Sequence, residues 1–575
     1  MSDRLSRIEA RLGDIDQALA DVHRRLDALE ALALYSAPAL RSEPLTATIE
    51  TSSPLPLRSA GGPDLTGLVS LVGRTFVVLG GAYLLRALTE SGRLPGRAGV
   101  VLGFAYAVAW FGAADRAGVT RPLSGLFHGL AAVVISLPLL WEASTHFKLL
   151  SPETSAALLL LIAGLALGVA WHRHLQSLAG VAVVGSIVAT AGLMVATGYP
   201  LPFAAGLLAL GACTLWLSDA RTWPWLCWLP AVAADLVALV LVGRALVVPP
   251  PEPHGAVIAL LLVFVAVYLG WVAWHTLVRH QHVQAFELIQ TPCAVGIGLV
   301  GAVIVARGGP RLASLALGAL ALLGAGAGYA AAFGILRRRP DGRANVVFFG
   351  LLAVGLLLIG SSASLSGPAL VAWYGALAVV AAVLGLRASE PQFSLHAAVL
   401  GFAIAAASGT LVWAAAVWCN AGPRLPLTAP TVATVVVAAA CLAIPPRGSG
   451  AGFAGGPVPF LASVSRFILA VLLLVGSGGI AVWWLAPLVG GEPVDAGVFA
   501  SMTTIVLAAS AVAVAAVFRI TSWVEFRWLV YPLLVAGGLK LVIDDFRHST
   551  PATLFAALAV YGVVLILAPR LLRRG

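Results

Sequence analysis

Residues Arg527–His548 read RWLVYPLLVAGGLKLVIDDFRH. The stretch is long and apolar enough to cross a bilayer as a helix, which takes about 20 residues. Yet it places Lys540 and Asp544 four residues apart, on one helical face. Only one other lysine occurs in the chain, Lys148. A charged side chain inside a span costs roughly 2.5–3.5 kcal/mol on insertion scales, so it must be paired or wet. Lys540 and Asp544 therefore mark the first candidate for an intramembrane polar site. On a regular helix Asp545 lies about 100° further round, and it is expected to face elsewhere, at the outer interface.

The rest of the chain has the same character. Of 575 residues, 60% are hydrophobic and 10% charged, with a mean hydropathy of +0.96. Soluble domains carry about 25% charged residues. This predicts an all-α, polytopic membrane bundle and excludes a soluble domain. The formal charge of +10 does not point to nucleic acid, because the basic residues sit singly at span ends, as membrane topology places them. The five cysteines, Cys213, Cys227, Cys293, Cys419 and Cys441, lie in or beside apolar runs without paired spacing and read as small hydrophobes.

About eighteen apolar segments of spanning length follow one another. They fall near 66–87, 96–114, 123–141, 154–171, 175–197, 201–217, 224–243, 255–277 and 288–306. The second half adds 312–336, 344–361, 367–386, 394–418, 427–444, 460–486, 496–517, 526–543 and 551–568. The sixth is short and reads as a candidate re-entrant segment. Arginines such as Arg116, Arg173, Arg221, Arg337, Arg387, Arg466, Arg519 and Arg527 gather on the N-terminal side of this count. Acidic, Pro-rich turns such as PPPEPHG gather on the other. The asymmetry predicts both termini in the cytoplasm.

Three parts are expected: a coiled-coil helix over 1–34, a Pro/Ser/Thr-rich flexible linker over 35–65 and a membrane domain with a short basic tail over 66–575. The seam Leu5, Ile8, Leu12, Ile15, Leu19, Val22, Leu26, Leu29 alternates intervals of three and four, the coiled-coil period. Arg4, Arg11 and Arg25 then face Glu9, Asp16 and Glu30 of a parallel neighbour, so residues 5–29 predict a homo-oligomer. The plainer reading is a lone amphipathic helix on the membrane surface. No signal peptide is expected, since the first long apolar run begins near Leu65.

Within the first hairpin, Arg86 ends the Gly-rich first helix, Glu90 stands at the short polar turn and Arg97 opens the next helix. With the Lys540/Asp544 end and its final apolar helix, this pattern resembles a large family of bacterial predicted membrane proteins known only as a domain of unknown function. The resemblance implies an N-terminal coiled coil, many spans and the bacterial cytoplasmic membrane; it implies no activity. The physical alternative for Arg86 and Arg97 is interfacial anchoring by snorkelling.

Asp235 sits mid-span in WLPAVAADLVALVLVG and should face the interior, as a proton or cation site or as a protonated acid bonded to a neighbouring helix. His128 is a weaker candidate and reads as a packing residue. His172, His174, His280 and His282 occupy two loops on one side and read as a solvated boundary, with no metal expected. Gly296–Gly301 matches GxGxxG by letter but lies inside an apolar span, without the strand a dinucleotide site needs. Gly164 and Gly168, like Gly324, Gly326 and Gly328, read as small-residue faces for close helix packing. Neither lysine follows Walker glycines, and HExxH and GxSxG are absent. No cofactor and no catalytic residue is expected. Two function classes survive: a transporter or flippase-like protein handling a small or lipid-linked substrate, and an oligomeric envelope scaffold. An enzyme ranks below both.

Overall fold

The computed structural model describes residues 73, 80–81, 84, 86–89, 91, 93–249, 251–339, 342–388, 390–419, 425–444, 457–491 and 494–572. All of them belong to one compact unit, Val69–Gly575. The coiled coil, the linker and most of the 66–87 span lie outside the described residues.

The described chain is all helical. Its first part runs through α1 (Gly96–Gly118), α2 (Pro122–Thr145), α3 (Pro152–Arg173), α4 (Gln176–Thr197), α5 (Pro200–Arg221), α6 (Trp228–Ala245), α7 (His254–Val278) and α8 (Ala285–Arg307). It continues with α9 (Arg311–Arg338), α10 (Arg343–Ser364), α11 (Gly367–Arg387), α12 (Gln392–Ala407), α13 (Thr410–Trp418) and α14 (Ala429–Ala443). It closes with α15 (Phe460–Gly490), α16 (Ala496–Thr521), α17 (Val524–His548) and α18 (Pro551–Leu572). Among the described residues, 15 of these helices are long and apolar enough to cross a membrane, or up to 16 if α12 and α13 form one span.

Two expectations about spans are corrected. The sixth segment is not re-entrant: α5 is a full helix of 22 residues, which Pro200 starts and Arg221 ends. The segment at 394–418 is instead broken, α12 and α13 meeting at 73°. Gly409, at φ 72°, makes the corner, in the left-handed region that glycine alone enters without cost.

Local chemistry sets the other boundaries. Ser151 caps α3 by accepting from the Thr154 N–H at 3.3 Å, and Asp495 caps α16 by accepting from the Gly497 N–H at 3.0 Å. Such caps satisfy amides that a helix start leaves orphaned. Large apolar side chains point outward, among them Val188, Leu323, Val489 and Ile520, each more than 60% exposed. That is the surface a lipid-embedded bundle presents.

Inside, one core gathers Leu140, Leu178, Phe203, Leu241 and Leu261 from α2 through α7. Another gathers Ala511, Phe526, Val530 and Val564 from α16 through α18. Glycine permits a close crossing between α9 and α10: a Cβ on Gly360 would stand 2.7 Å from the Gly318 carbonyl oxygen. Gly298 and Gly301 serve the same purpose against α7 and α6. Gly324 and Gly328 do pack on α10, whereas Gly164, Gly168 and Gly326 have nothing within 4 Å of an added Cβ. The expected packing face on α3 is therefore exposed surface.

Candidate functional site

Polar side chains enter the bundle at several places, and wide π turns carry two of the sets. In a π turn the backbone bonds run i→i+5, so one turn takes an extra residue; such turns are rare and recur at functional sites.

The first set joins α5 through α8. At its mouth Arg279 Nη1 donates to Asp219 Oδ2 at 2.5 Å, with the guanidinium over the Trp274 ring at 4.4 Å. Asp219 Oδ1 lies 3.9 Å from His275 Nε2, and His275 Nδ1 lies 2.8 Å from Glu287 Oε1. His275 sits on the π turn Trp274–Val278 and stacks on Trp271. His275 and Glu287 side chains are each 3% exposed. The 2.8 Å contact is out of line for a ring N–H bond, so His275 Nδ1 and Glu287 Oε1 face each other without one. The other Glu287 oxygen accepts the Gln284 N–H at 2.9 Å, closing a capping box at the start of α8.

One turn further on, Gln290 Nε2 donates to Asp235 Oδ1 at 2.8 Å. Asp235, seven residues into α6 and so roughly 10 Å from its start, is half-buried and faces α8. Tyr268 is buried between Phe264 and Phe286, its hydroxyl without a hydrogen bond. The loop at the mouth is strapped down by Asn345, which bonds the Gln281 carbonyl and the Val283 N–H, both at 2.9 Å. Arg339 ties the end of the π turn through the Thr276 and Leu277 carbonyls.

The second set lies at the far end of α17. Lys540 Nζ is 2.6 Å from Asp544 Oδ2, 3.7 Å from Asp545 Oδ1 and 3.3 Å from the Ala500 carbonyl oxygen of α16. Here an expectation fails: Asp545 is fully buried and turned toward Lys540. The reason is the π turn Leu541–Asp545, whose wider circuit brings i+5 under residue i along with i+4.

A third pair stands at the near end of the same helix. Arg466 Nη2 donates to Glu525 Oε1 at 2.6 Å, with side chains 5% and 1% exposed. The guanidinium also lies over the Trp523 ring at 5.1 Å. Arg466 is thus not the loop arginine the charge count takes it for; it lies inside a helix that begins before it. A cavity of about 10 Å³ adjoins it, lined by Ser394, Cys441 and Ser465, which is room for about one water.

Of the remaining sequence candidates, Arg86 pairs with Glu142 of α2 at 2.7 Å, Arg97 is exposed, and His128 packs its ring on Trp110 at 5.0 Å. The loop histidines separate: His172 bonds Asp115 and His174 bonds Arg221, while His280 and His282 are exposed on the strapped loop. No group of His, Cys, Asp and Glu able to hold a metal occurs among the described residues. At the α12–α13 corner Ser408, Thr410 and Thr434 bond one another at 2.6–3.3 Å.

His275, Glu287, Gln290 and the Arg466–Glu525 pair were not singled out from sequence. Gln284, Glu287 and Gln290 recur at intervals of three, a polar helical face that would have exposed the first set. Comparison of the chain with protein-family models, curated proteins and solved structures finds no match.

Proposed function

We propose that this chain is a multi-pass protein of the bacterial cytoplasmic membrane, both termini cytoplasmic, that carries a small or lipid-linked substrate in the manner of a transporter or flippase. The observation that carries this reading is the interior set on α5 through α8: Asp219, His275, Glu287, Gln290 and Asp235 converge where apolar side chains would pack at lower cost. Ionisable groups placed inside a membrane bundle mark substrate or ion paths by default. The 73° break between α12 and α13 adds support, because transporter sites are commonly built from discontinuous helices.

The test needs no substrate. With the five native cysteines replaced, Gln290→Cys in the full chain is exposed to a membrane-impermeant thiol reagent in sealed vesicles. A carrier opens this position to water and the thiol reacts. If it stays inert while His282→Cys reacts, the transport reading falls.

The heptad pattern of residues 5–29 favours a second reading, an oligomeric scaffold. Leu19→Asp then converts the full chain in nanodiscs from an oligomer to a monomer by light scattering. A monomeric parent chain removes this reading.

A further inference from the structure

Lys540, Asp544 and Asp545 bring one positive and two negative charges together. The ammonium is committed to Asp544 and to the Ala500 carbonyl. Asp545 is fully buried, and neither of its oxygens has a hydrogen bond. Thr504 of α16 lies beside it, close enough to act on the carboxylate. It is also fully buried, and its hydroxyl too lacks a hydrogen bond. Two carboxylates that share one cation away from water do not both stay ionised. A proton on Asp545 removes the surplus charge, and the Thr504 hydroxyl, which can donate to the carboxylate when it is ionised, can instead accept the O–H of the acid.

We infer that Lys540, Asp544 and Asp545 form an exchangeable proton site, the proton resting on Asp545. An exit to solvent is present: Asp544 is 20% exposed, and its Oδ1 lies 3.0 Å from Nδ1 of His548, itself 48% exposed. From rest, the Asp545 proton passes to Asp544 while Lys540 moves across to the newly ionised Asp545; the proton then leaves Asp544 at its solvent-exposed edge beside His548, and loading runs the same steps in reverse. One proton moves, and the ammonium follows the ionised carboxylate.

The neighbouring elements add no further charge facing Asp545 among the described residues. From α16 come Ser501, bonded to Ser549, and Thr504, while Asp495 is spent on its cap. From α18 comes Tyr561, whose hydroxyl donates to the Leu534 carbonyl. Arg547 is exposed. The role of the site as the coupling element rests on the transport reading; protonation itself does not.

Infrared difference spectroscopy on the full chain in lipid nanodiscs, stepped in pH across neutrality, tests the proposal. The expected result is a protonated-carboxyl C=O stretch that vanishes in Asp545→Asn and shifts in frequency in Thr504→Val. If Asp545→Asn does not fold, the Thr504→Val shift decides. A band that persists in Asp545→Asn overturns the assignment, as does its absence from the parent chain or its loss on adding sodium, which would place a metal cation there. A band that behaves as expected beside an inert Gln290→Cys keeps the proton site and removes only the transport reading.

Discussion

The two ends of α17 handle buried charge differently. At the near end one guanidinium meets one carboxylate, Arg466 with Glu525, closed at 2.6 Å and covered by Trp523. At the far end one ammonium serves two carboxylates, and the second is the more deeply buried. Burial alone does not separate a structural pair from a chemical site, since Glu525 and Asp545 are both fully buried. Charge stoichiometry does. A one-to-one pair is balanced in charge, even though Arg466 Nε and Nη1 and Glu525 Oε2 have no hydrogen bond of their own. A one-to-two set is complete only when something else arrives.

The comparison is broken most directly by turning each acid into its amide. Glu525→Gln strands Arg466 without a counter-charge and is expected to cost about 3–5 kcal/mol, read as lost folded protein in a thermal-shift assay. Asp545→Asn exchanges an acid that rests neutral for a neutral amide and should change stability by about 1 kcal/mol or less, within the range of an ordinary hydrogen bond. Equal losses at the two ends would end the distinction. Replacing both partners, Arg466→Leu with Glu525→Leu, should restore the level that Glu525→Gln loses, because a buried pair exchanged for apolar side chains is often neutral.

An effect between those of Glu525→Gln and Asp545→Asn is expected at Lys540. Its removal by Lys540→Ala strands Asp544, but that carboxylate is partly wet, so the loss should be about 1.5–3 kcal/mol. Adding Asp545→Asn to Lys540→Ala should leave the loss unchanged; a recovery of stability would mean that Asp545 is ionised at rest. The least effect belongs to Arg86→Ala. The Arg86–Glu142 pair is 46% and 21% exposed, solvent screens it, and about 0–1 kcal/mol is expected from the same assay.

Much of this architecture is legible in the sequence because the hydrocarbon thickness imposes it. Runs of about 20 apolar residues have few alternatives to a helix, and each described segment from 96 onward contains one. What escaped the reading is whatever departs from regular helical geometry. The corner at Gly409 carries no proline and is spelled Ser-Gly-Thr, which many continuous spans tolerate. Regular helical spacing puts Asp545 on the wrong face because it assumes the same turn throughout, and a π turn leaves no mark in the spacing. Arg466 has the pattern of a loop residue because a lone arginine near the start of an apolar run is usually one, and its partner Glu525 lies 59 positions away. Lys540 and Asp544 are legible in the sequence because their contact is local.

The extra residue in the π turn at Leu541–Asp545 has a consequence beyond the carboxylates. Everything after it leaves α17 rotated by about one residue, roughly 100°, from where an unbroken α-helix would aim it. That azimuth delivers Ser549 to the head of α16, where it bonds Ser501 at 2.7 Å and the Gly497 carbonyl at 3.2 Å. Gly497 has no room there for a methyl group against His548 and Ser549. The insertion is therefore the joint that sets the launch direction of α18, and a single-residue deletion anywhere in 541–545 would misdirect the last helix of the chain more than it would shorten α17.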